Sequence, residues 1–293
     1  MNPPPRSLSP RRVLRGGHAV ARCSLAVALS LSVGACGSSD PAPLTPDASI
    51  ADVPAADAPA TDAPATDAPA ASVAIAFAHT VGGAPLAFGT TTPYTNAAGN
   101  SFGVTRLSYF VSGVTVRMRD GRTVTAPGAR YLDAATPATL SFALPGSAPV
   151  GELASITFVM GLPPELNISG AFSSSPESLM EWPEMMGGGY HHMKFEGRYI
   201  NRAGQPFNFM THSGGLNRAD YSFAVTLDAS GRSITSAGAS FTVRMDVAEW
   251  FTGPNTWDLN DYFNATHRGI MGDAAAQASL RENGASVFSL AAP

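Results

Sequence analysis

Beyond Cys36 the chain contains no cysteine; Cys23 and Cys36 are its only two, and both fall in the first 36 of 293 residues. That excludes disulfides and thiolate metal sites from everything downstream. Charge is scarce as well: charged residues make up 14%, the net charge is -4, and Lys194 is the only lysine. Such a chain lacks the basic face that a nucleic-acid partner requires. It also lacks the polybasic surface that would hold a protein on anionic lipid. No apolar run reaches the 18 or so residues of a spanning helix.

What is present begins with a targeting pattern, to be set apart from the fold. Arg6, Arg11, Arg12, Arg15 and Arg22 precede the short apolar stretch "SLAVALSLSVGA". It ends at "VGAC", which looks like the lipobox of bacterial lipoproteins, with Cys36 as the lipidated first residue of the mature chain. Residues 1–36 are therefore expected to be a lipoprotein signal peptide, and the protein to be lipid-anchored in a bacterial cell envelope, at the outer membrane or cell surface. Residues 37–72 repeat Ala, Pro and Asp with no aromatic residue. They cannot bury enough apolar area to offset their ordering entropy, and read as a disordered, extended stalk.

From residue 73 to 293 most of the chain reads as strands. "VAIAFAH" and "VTRLSYFVSGVTVRM" are rich in β-branched and aromatic residues, and the second stops before Asp120-Gly121, a hairpin signal. Further such runs follow, separated by Gly, Pro, Asn and Asp. Only 272–283, "GDAAAQASLREN", favours a helix, with Gly284 expected just past its end. The pattern predicts an all-β fold, an antiparallel β-sandwich with one short C-terminal helix.

Soft and imidazole donors concentrate in one place. "MEWPEMMGGGYHHMKFEG" (180–197) holds four Met, two adjacent His and Trp182; "FNFMTHSGG" (207–215) adds Met210 and His212. The short loop "NRAG" (201–204) should join these runs as a hairpin, whose register the loop length fixes. An even loop groups His191, Met193, Met210 and His212 on one face, and is the favoured reading. A three-residue loop, 202–204, instead sets Lys194 opposite His212, with His192 on that face. Imidazole and thioether suit Cu(I) better than Mg or Ca. The plainer alternative is that Met fills core and that one of two adjacent His is merely exposed. Ser213 beside His212 lacks the surroundings of a nucleophile elbow, so no enzyme is expected.

At these residues the chain resembles the MbnP-like copper-binding proteins, which occur with diheme cytochromes c of the MbnH type. The resemblance runs through "IAFAHTVGGAPLAFG", "VTRLSYFVSGVTVRMRDG", the two ligand-rich segments and "NATHRGIMGDAAAQASLRENGASVFSL". It implies a β-sandwich that binds Cu(I) through histidines, with a Trp oxidised to kynurenine in some relatives and its amine joining the site. Carried over by position, His79 and His212 are the ligands and Trp182 is the oxidisable Trp. No Trp follows His79, where some relatives carry the modified one. His191, Met193 or Met210 would complete the site, and His267 is a further candidate. The expected function is copper acquisition or handling outside the inner membrane, with a diheme cytochrome as possible partner and no nucleic acid. The alternative is a metal-free surface lipoprotein whose sandwich binds a protein or glycan.

Overall fold

A computed structural model describes residues 70–267 and 269–292. The expected signal peptide, Cys36 and the stalk up to residue 69 lie outside the described residues. The last part of the expected stalk is structured: Ala70–Ala71 form a short strand paired with Ala148–Pro149.

The strands of the fold include β1 (Val73–Val81), β2 (Ser101–Met118), β3 (Thr123–Asp133), β4 (Gly151–Met160), β5 (His191–Ile200), β6 (Pro206–Gly214), β7 (Phe223–Asp228), β8 (Ala239–Asp246) and β9 (Phe288–Leu290). The larger sheet runs β6-β5-β2-β4-β7, with β3 also on β2. The smaller sheet runs β9-β8-β1 and continues to short strands on β1. Phe77 of the smaller sheet meets Phe158 of the larger at 5.8 Å, edge to face. Such aromatic pairs fill the apolar layer between the sheets, so the architecture is an all-β sandwich. The strand pairs are antiparallel except β1 with β8, which run parallel from Val73 opposite Ala239 to Thr80 opposite Asp246. The Asp120-Gly121 turn forms as expected, with Arg117 opposite Thr123 and Gly121 at φ +91.

The C-terminal helix, α1, spans Ala274–Val287 and not 272–283. Asp273 caps it, its carboxylate accepting from the amides of Ala275 and Ala276. Gly284 lies inside the helix. A Cβ there would come 2.1 Å from the Phe223 ring, so the glycine serves close packing of helix on β7, not termination.

Strand β2 organises the site. Ser108 and Tyr109 pair with β3 on one edge and with β5 on the other. Further along, Val111 to Arg117 pair with β3 and, on that same other edge, with β4. Strands β5 and β4 therefore meet end to end along one edge of β2. The connection between them, residues 161–190, folds over the outer face and packs Phe172, Met180 and Tyr190 around Phe110. The junction lies at Gly161-Leu162 and His191-His192.

Candidate metal centre

The β5–β6 hairpin sets which side chains meet. Its register places Lys194 opposite His212 and Glu196 opposite Met210. The closing loop is residues 202–204, with the Asn201 amide donating to Gln205 O and Gly204 at φ +73. This is a three-residue loop with glycine in the left-handed position. The favoured even loop is thus corrected, and the slip moves Met193 to the other face. Met193 sits opposite Ser213 and is wholly buried in the core. Met210 lies on the outer face, 42% exposed and paired with Glu196.

A β-bulge then changes the facing of the histidines. His191 pairs with Gly214 and Met193 with Ser213, so His192 is the extra residue. The bulge turns His191 onto the face of Lys194, Glu196 and His212. It turns His192 toward the end of β4, where the Leu162 amide donates to its Nδ1.

On that outer face the rings of His191 and His212 meet at 5.0 Å between centroids, at 87°. The carbonyl of Met180 can only accept, so His191 Nδ1 carries the proton of the 2.8 Å bond between them. Its Nε2 is left with a lone pair, buried and without a hydrogen-bond partner among the described residues. His212 Nε2 donates to Glu196 Oε1 at 2.9 Å, so in the neutral ring Nδ1 is the nitrogen with the lone pair. That hydrogen bond, with the Arg106 guanidinium 3.5 Å away, lowers the Glu196 pKa and keeps the carboxylate ionised. Burial, reinforced by the nearby Lys194 ammonium, pushes His191 down to about 3. It is therefore a neutral imidazole at any physiological pH. The Lys194 ammonium is tied to Leu179 O at 2.6 Å.

Trp182 packs on His191. It is 2% exposed and stands 4.8 Å from the His191 ring, edge to face. Its Nε1–H donates to Met186 O, and its ring lies on Gly214, where a Cβ would come 2.3 Å from Cε3. The first glycine of "THSGG", Gly214, is thus small because Trp182 occupies its side-chain space.

The other expected ligands lie elsewhere. His79 lies two residues before the end of β1, and its Nε2 sits 2.9 Å from the Tyr109 hydroxyl. Tyr109 pairs with Met193 and faces the core, whereas Ser108 pairs with Lys194 and faces out. His79 and His212 therefore lie on opposite faces of the larger sheet and do not converge. Burial lowers His79 to about 4, partly offset by Asp133. His267 is fixed by a turn, its amide donating to Asn264 Oδ1. Among the described residues no group of three or more His, Cys, Asp and Glu converges.

Two contributors were missed from sequence. Met180 orients His191 by its carbonyl, which no residue pattern reveals. Gln277 of α1, fully buried, donates to His212 O at 2.8 Å and accepts from the Gly214 amide at 3.2 Å. Its only signal was an amide among the alanines of the helix's first turn.

The fold and the paired imidazoles define a β-sandwich protein with a candidate two-nitrogen site for a soft metal on the outer face of one sheet. The chain belongs to the MbnP family, whose model matches residues 70–271. Among solved structures, MbnP from Methylosinus trichosporium is similar over 75% of this chain and 97% of that chain, at 16% identity and TM-score 0.47. No curated protein matches the chain.

Proposed function

We propose that this protein binds Cu(I) between His191 Nε2 and His212 Nδ1, for copper acquisition or handling in the cell envelope. The observation that carries this reading is the buried, unpartnered lone pair of His191 beside the ring of His212. An orphaned buried acceptor costs about 1–3 kcal/mol, and metal ligation would remove that cost. The donor set suits the ion. Imidazole serves copper, and Cu(I) is content with two or three ligands. Both rings are already neutral or hydrogen-bonded at the nitrogen that does not ligate, which fixes tautomer and orientation. Copper would supply no chemistry to a bound substrate here, and the protein is read as a binding protein, not an enzyme. Family membership supports a copper-associated role.

The test is competition of the purified protein against a Cu(I) chelator. Loss of tight binding is expected for His191→Ala and for His212→Ala, and near wild-type binding for His79→Ala. Wild-type affinity in both of the first two would remove the site and favour the metal-free binding module.

Two further parts of the reading have separate tests. Trp182, packed on His191, is the residue that a diheme cytochrome would oxidise; peptide mapping after co-expression should find the mass shift there and not on Trp250 or Trp257. Cys36 is the lipid attachment site; equal solubility of the native chain and Cys36→Ala on cell fractionation would contradict it.

A further inference from the structure

Behind the candidate site, the bulged His192 is buried at 2% exposure and takes no part in the pair. The Leu162 amide donates to its Nδ1 at 3.1 Å, so that nitrogen holds the lone pair and Nε2 carries the proton. This Nε2–H has no acceptor among the described residues. Trp250, in the short turn Val247–Phe251 after β8, presents the same problem: its indole Nε1–H is buried and has no acceptor among the described residues either. Both residues line one small cavity of about 10 Å³, together with Ser213, Tyr221 and Gln277.

We propose that this cavity is a binding site for a single internal water, which bridges His192 Nε2–H and Trp250 Nε1–H. Three independent features select water. The volume is that of one water molecule and of nothing larger. The two unmatched groups are both donors, so the occupant must accept twice, which a water oxygen does. Its own two hydrogens then need acceptors, and Ser213 and Tyr221 bring hydroxyls to the same wall. A cation is excluded by two N–H groups. An apolar filling would leave both donors unsatisfied.

The water joins two parts of the chain that the C-terminal helix also ties, through Asn283 to the Trp250 carbonyl and through Gln277 to His212 and Gly214. His192 belongs to the larger sheet at the junction of β5 and β4. Trp250 follows β8 of the smaller sheet. The bridge would add to the Leu162 amide in holding the bulged residue inward, opposite to His191. The inference does not depend on copper.

A crystal structure of the protein at a resolution that shows ordered water tests it directly. One oxygen peak within hydrogen-bond distance of both His192 Nε2 and Trp250 Nε1 is expected. A dry cavity, an anion peak, or either N–H turned onto a protein acceptor overturns it. In solution, oxygen-17 relaxation dispersion counts long-lived waters. Trp250→Phe should lose one relative to wild type, and an unchanged count contradicts the bridge. If that variant fails to fold, the wild-type cross-peak between the Trp250 indole proton and bound water decides: present supports the proposal, absent overturns it.

Discussion

The His191 ring stands edge-on to the His212 ring at 5.0 Å, and each is anchored by its remote nitrogen, one to the Met180 carbonyl and one to Glu196. The two nitrogens left over differ in their surroundings. His191 Nε2 is buried without a partner, while His212 is held through a charged carboxylate. The two rings are thus pre-oriented side by side, each held at one nitrogen.

Glu196 should matter although it touches no metal. It fixes the His212 tautomer so that Nδ1 keeps its lone pair. Replacing it by Gln removes the charge that raises ligand basicity and loosens the tautomer. Cu(I) affinity is expected to drop about 10–100-fold in Glu196→Gln, the range typical of such supporting residues. Chelator competition measures it, and an unchanged affinity would show that His212 is oriented by something else.

Gly214→Ala tests the Trp182 packing. The added methyl would lie 2.3 Å from the indole ring, so Trp182 or β6 must move. Forcing a methyl into a filled contact costs about 1–3 kcal/mol. A lower denaturation midpoint is expected, with a change in Trp fluorescence. Wild-type stability and an unmoved emission band would place Trp182 away from Gly214.

The buried imidazoles set an acid limit. His79 and His192 are lowered to about 4 and His191 to about 3, all chiefly by burial. An unfolded chain protonates these groups near 6.5, while the folded one refuses until much lower pH. The unfolded state therefore binds more protons below 6.5, and stability falls with falling pH. The loss should begin near pH 6.5 and grow until the folded-state values are passed. Denaturant midpoints of the metal-free protein, taken from pH 7 to 4, report it, and a flat profile for wild type would contradict the buried, neutral assignment. His79→Phe should shallow the slope.

The fold was legible because strands carry their pattern locally. Alternating apolar residues and Asp120-Gly121 each act within a few residues, and each is found where expected. What failed to read was set by contacts across the chain. The parallel pairing of β1 with β8 joins residues far apart in sequence. Gly284 resembles a helix stop until Phe223 is seen against it.

The candidate site shows the same division at finer scale. Donor-rich segments 180–197 and 207–215 were visible, and they do come together. Which donors meet was decided by one residue of loop length and one bulged residue, and either would reverse the facing of a strand. Gly204 was the available clue to the loop. Nothing in "YHHM" announces the bulge that turns His191 out and His192 in. His79 was placed with His212 by resemblance, yet alternation along β2 puts Tyr109, its partner, on the opposite face.

The most direct measurement is a crystal structure of the protein loaded with Cu(I), with anomalous diffraction collected on either side of the copper edge. One copper peak is expected on the outer face of the larger sheet, bonded to His191 Nε2 and His212 Nδ1. A peak at His79 in the core-facing layer, or no ordered copper at the His191–His212 pair, would contradict the account.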